Sequence, residues 1–112
     1  MVWSILAGAD RMELENGMEL RLLSALEVLQ ARREAGELAC EDRERALCSN
    51  ACLLARALES GEKPVFDSGR AVLAGLTVSE IAALAGRWRE FDRKENPSAA
   101  GTAEELENVK KN

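Results

Sequence analysis

A mainly α-helical fold, a small compact bundle of about four helices with a β-hairpin at its front, is predicted by three observations. Ser24 is followed three residues later by Glu27, and Thr77 by Glu80, the hydroxyl and carboxylate pairing that satisfies the free backbone donors at a helix start. Behind each of these boxes apolar residues recur every three or four positions. Only the stretch 11–23 alternates apolar with charged residues, and it does so on either side of Asn16 and Gly17.

Register decides how that first stretch folds. A two-residue loop would set Leu14 opposite Glu19 and split the apolar faces. A three-residue loop of Glu15, Asn16 and Gly17, with Gly17 left-handed in a bulge, pairs Leu14 with Met18 and Met12 with Leu20 and keeps one face apolar. The hairpin therefore takes the longer loop. A helix is the competing reading, because Leu14, Met18 and Leu22 are also four apart, with Gly17 costing about 1 kcal/mol relative to Ala.

The next element is a helix over 24–35, stapled by Leu23 and Val28, with Ala25, Val28, Leu29 and Arg32 on one face and Gly36 as its stop. Leu26 and Ala39 extend its buried side in this reading. Asp42 is placed to cap a helix over 43–59, in which Leu47, Ala51, Leu54 and Leu58 point inward and Gly61 follows as a stop. Asn50 falls beside that stripe, as a boundary residue bonding backbone or water. Residues 61–64 read as a loop, and Val65 and Phe66 as an apolar pair inserted into the core.

Asp67 is the expected cap of a short helix over 68–74, closed by a left-handed Gly75. The longest helix, 78–95, follows its capping box at once, and Ile81, Leu84, Trp88 and Phe91 form a stripe that runs through Gly86 until Asn96 and Pro97 end it. Residues 1–97 thus make one domain. Residues 98–101 are a small-residue linker to a short charged helix over 103–110, which has only Leu106 and Val109 to bury.

Composition limits what such a domain does. In 112 residues, two Phe and two Trp leave the core to Leu, Ala and Val, and a net charge of −5 lacks the basic footprint of a nucleic-acid binder. No apolar run nears the roughly 20 residues of a membrane span, and the first nine residues lack the basic start of a signal peptide. A cytoplasmic protein is expected. Cys40, Cys48 and Cys52 form no Cys-x-x-Cys pair and histidine is absent, so no metal site or cofactor is expected, and the cysteines read as small reduced apolar residues.

Two chemical readings compete with a binding module. GLTVSEIAALAG resembles the first helix of a helix-turn-helix, a DNA-binding regulator, but the second helix would have to bury Asp92 and Glu95, which costs several kcal/mol unless they are paired. Carboxylate catalysis by Glu41, Asp42 and Glu44 would need neighbours that shift a pKa, and here they alternate with Arg43 and Arg45 as on a solvated helix face. With no Gly-rich phosphate loop and no nucleophile beside a base, no catalytic residue is assigned.

Glu27 with Arg32 and Arg33, the ACLLAR segment at 51–56, Val65 with Phe66, Thr77 with Glu80 and Ile81, and Trp88 with Phe91 and Asp92 follow one another over 24–98. That series resembles the small tail assembly chaperones encoded in the tail-gene clusters of long-tailed phages and prophages. The resemblance implies a non-enzymatic chaperone in the bacterial host cytoplasm. It would hold the helical tape measure protein soluble while tail tube protein assembles around it, with homo-oligomerisation left open and a generic helical adaptor as the plainer alternative. Trp3, Met12, Met18 and Phe91 are the candidate partner-binding residues, being large or adaptable side chains beside the aliphatic stripes, where they could equally complete the core.

Overall fold

A small antiparallel sheet carries helices on one face and charged side chains on the other. The computed structural model describes residues 10–95, so Trp3, the 98–101 linker and the expected 103–110 helix lie outside the described residues. In chain order the elements are β1 (Arg11–Glu13), β2 (Met18–Arg21), α1 (Ala25–Leu38), a 3-10 turn (Asp42–Glu44), α2 (Arg45–Ala57), β3 (Leu58–Ser60), β4 (Lys63–Pro64), α3 (Gly69–Gly75) and α4 (Val78–Glu95). The four strands are ordered β1-β2-β3-β4.

The hairpin has the register that keeps its apolar face whole. Met12 pairs with Leu20, the Leu14 N–H donates to the Met18 carbonyl at 2.8 Å, and Gly17 has φ 74°. Leu20 also pairs with Leu58 of β3, and both are buried, so the face bearing Met12, Leu20 and Leu58 lies on the core. That core is built from Leu53, Leu54 and Ala57 of α2, Val72 of α3, and Ile81 and Trp88 of α4. A second apolar cluster joins Ala31 and Ala35 of α1 to Cys48 and Cys52 of α2.

Both capping boxes are in place. Ser24 Oγ accepts from the Glu27 N–H at 3.1 Å and Thr77 Oγ1 from the Glu80 N–H at 3.1 Å, with each Glu carboxylate accepting in return from the cap residue's own N–H. Elsewhere the boundaries move. α1 continues through Gly36 to Leu38, because Gly36 keeps a helical, non-left-handed backbone and Ala35 and Leu38 still pack inward. Its buried side is Val28, Ala31 and Ala35, so Leu26 and Leu29 face outward rather than in.

The helix expected over 43–59 starts and ends differently. It opens with the 3-10 turn and no side-chain cap, Asp42 pairing instead with Arg45 at 3.6 Å. Its last expected turn is the strand β3, because β2 offers an unpaired edge and Leu58 buries fully against Leu20. The following loop is a tight hairpin. Gly61 and Glu62 have φ of 59° and 67°, the pair of positive values that a two-residue turn between twisted strands requires.

α3 is capped by Ser68, whose Oγ accepts from the Ala71 N–H at 3.2 Å, not by Asp67. Gly75 is not left-handed. A Cβ there would sit 2.6 Å from the Phe66 ring, so glycine is needed for that ring to tuck in, while Val65 beside it stays exposed. Of the cysteines, Cys48 and Cys52 are buried as free thiols and Cys40 is exposed. Burial, helped by Glu34, pushes the Cys52 thiol up to about 12.

On the outer face like charges stand directly opposite each other, Arg11 to Arg21 and Glu19 to Glu59. Such pairs repel when isolated. Here they interlock: Arg11 Nη1 donates to Glu59 Oε1 at 2.6 Å and to Glu19 Oε1 at 3.3 Å, and Arg21 Nε donates to Glu59 Oε2 at 3.0 Å. Glu59, only 6% exposed, has both carboxylate oxygens filled. Arg21 reaches on to Glu27 through two further bonds, and the first of these effects, its hydrogen bond, holds the Glu27 carboxyl down at about 2.

Candidate partner-binding groove

A groove of about 490 Å³ runs between the edge strand β1 and the second half of α4, lined by Arg11, Met12, Arg87, Glu90, Phe91, Lys94 and Glu95. Its helical wall follows from spacing alone. Arg87, Glu90, Phe91, Lys94 and Glu95 fall at intervals of three and four, so they share the flank of α4 next to the buried stripe. The stripe itself is Ile81, Ala85, Trp88 and Phe91, with Leu84 half-buried beside it.

Three bonds fix the walls. Trp88 Nε1 donates to the Arg21 carbonyl at 2.8 Å, pinning α4 across β2. Arg87 Nη1 reaches both Glu15 oxygens at 3.3 Å, tying the same helix to the hairpin turn. The Glu15 carboxyl is held below its usual range, first by its own backbone N–H and then by Arg87. On the far side of α4, Arg89 Nη2 donates to Asn50 Oδ1 at 2.6 Å, so Asn50 sits at the boundary where the sequence places it but bonds a side chain of the neighbouring helix where backbone or water was expected.

The candidate residues divide. Met12 and Phe91 come together in this groove, although Phe91 is only 8% exposed. Met18 opens into a neighbouring depression of about 350 Å³ with Leu14, Gly17 and Gly61 at the hairpin turn. Trp3 lies outside the described residues. Sequence reasoning did not single out Arg11, Glu90 and Lys94 as groove residues. The period of α4 could have supplied the helical members, but only the hairpin's packing against that helix reveals Arg11.

A smaller cleft of about 330 Å³ is lined by Arg21, Glu34, Arg56, Phe66 and Asp67. Its central charge is structural. Glu34 accepts from Arg56 Nη1 at 2.7 Å and from the Gly69 N–H at 2.8 Å, joining α1, α2 and α3. Burial pushes the Glu34 carboxyl up, and those bonds outweigh it and leave it below the ordinary range. Gly69 can only be glycine, since a Cβ would run into Cys52.

α4 is one unbroken helix through Gly86, where a helix-turn-helix would bend. Among the described residues no helix is long and apolar enough to cross a membrane, and no cluster of potential metal ligands forms. No family model, curated protein or solved structure matches this chain.

Proposed function

We propose that this protein is a helix-binding chaperone of the phage tail assembly kind, acting without catalysis in the bacterial cytoplasm on the tape measure protein. The groove between β1 and α4 carries the reading. It is open, and its lining joins Met12 and the little of Phe91 that is exposed to charges of both signs, a mixture suited to an amphipathic helix laying its apolar side down. A thioether in the lining lets varied helices pack there. The motif resemblance over 24–98 supplies the identity of the partner, and tail tube protein is the second candidate.

Co-expression with a tape measure fragment that is insoluble alone tests this. The fragment should become soluble and co-elute with the protein in size-exclusion chromatography. Met12→Ala combined with Lys94→Glu should abolish the complex, whereas Arg43→Glu, on an exposed turn, should leave it intact. A fragment that stays insoluble across its helical segments overturns the chaperone reading. A complex indifferent to the groove substitutions overturns the proposed surface alone.

A further inference from the structure

α1 presents an apolar stripe that nothing in residues 10–95 covers. Leu26 is 59% exposed and Leu29 46%, one turn apart on the side away from α2, and half-buried Leu22 lies in the link from β2, just before the Ser24 cap of the helix. A mutual pair of large exposed aliphatics on a helix invites an apolar cover. We propose that the cover is this chain's own beginning, with Trp3, Ile5 and Leu6 packing across Leu26 and Leu29.

Where the described chain starts is the first reason. The Asp10 carbonyl accepts from the Leu22 N–H at 2.9 Å, so residue 10 is fastened to the link that leads into α1, two residues before its Ser24 cap. Reach is the second. Ile5 is five residues before Asp10, a span of up to about 17 Å, and Leu26 and Leu29 are separated by only about 4.5 Å along the helix axis. Chemistry is the third. Residues 1–9 contain no charged side chain and include Val2, Trp3, Ile5 and Leu6, which match an uncharged stripe and not the salted outer face of the sheet. The inference does not rest on the chaperone reading, and it gives Trp3 a place on its own chain.

Trp3 and Trp88 are the only tryptophans, so subtracting the emission of Trp3→Phe from that of the unaltered protein isolates Trp3. The isolated Trp3 emission should be blue-shifted and poorly quenched by acrylamide. Leu26→Ser with Leu29→Ser should shift it to the red and raise quenching severalfold, with far-UV circular dichroism unchanged and Trp88, read in the Trp3→Phe background, unaltered. The inference is overturned if Trp3 is already red-shifted and freely quenched in the unaltered protein. It is equally overturned if the serine changes leave Trp3 untouched, or if the Trp3 signal disappears on dilution, which would identify a second copy of the chain as the cover.

Discussion

Helices α1 and α2 are nearly the same length and similarly aliphatic, yet they do opposite jobs. α2 buries Cys48, Ala51, Cys52, Leu53, Leu54, Ala55 and Ala57, while α1 buries only Ala31 and Ala35. The cause is position. α2 packs against α1, α3, α4 and the sheet, so almost every turn meets a neighbour, whereas α1 leans chiefly on α2. Small residues on both sides of their contact let the backbones approach closely, which leaves the larger leucines of α1 pointing away. Stability is therefore concentrated in α2, and among the described residues α1 has apolar surface left over.

The largest expected effect comes from removing packing where it is densest. Leu54 is fully buried, so Leu54→Ala should lower stability by about 3 to 5 kcal/mol. Leu29→Ala, on the outer side of α1 and covered at most by residues 1–9, should lower it by only about 1 to 2 kcal/mol. Urea midpoints with unchanged m-values measure both. Equal losses would break the contrast between the helices.

How much of this was legible in the sequence follows the same division. Features set within a few residues could be read: both capping boxes, the three-residue hairpin loop, and the stripe of α4, each a matter of local spacing. Features set by distant neighbours could not. Leu58 and Glu59 continue the apolar and charged pattern of α2 but become a strand because β2 lies alongside, and Phe66 dictates Gly75 from nine residues away. The inward face of α1 was misread for the same reason. Leu26 and Leu29 outrank Ala31 and Ala35 in hydrophobicity, but only the alanines fit against α2. At the groove, Met12 and Phe91 could be picked as residue types, while the cationic rim from β1 needed the register.

A middle-sized effect should appear in acid, because α1 is tethered at its first turn by charge and α2 by apolar contact. Glu27 falls from an ordinary 4.5 to about 2 in the folded protein, so its contribution is present above about 4.5 and is lost as pH drops toward 2. After allowance for solvent screening it is worth about 1 to 2 kcal/mol. Glu34, also held low, loses its bonds to Arg56 and Gly69 in the same direction. Glu27→Gln should therefore destabilise the protein at neutral pH and flatten, without abolishing, the decline of the urea midpoint below about pH 4.5. An unchanged slope would mean that the bridge to Arg21 does not anchor α1.

The smallest effect has the opposite sign and probes the outer side of α1 directly. Ala35 and Gly36 are adjacent, but Ala35 is buried against α2 while a Cβ on Gly36 would meet nothing within 4 Å. Glycine inside a helix costs conformational entropy, and the backbone here is not left-handed, so alanine fits without strain. Gly36→Ala should raise stability by about 0.5 to 1 kcal/mol and leave the m-value unchanged. That gain requires the outer side of α1 to be as open at Gly36 as residues 10–95 leave it. A loss of stability would instead mean that another part of the chain, or a second copy, comes close enough to the helix backbone at this turn to need a missing side chain, and the cover over Leu26 and Leu29 would then extend a further two turns along α1.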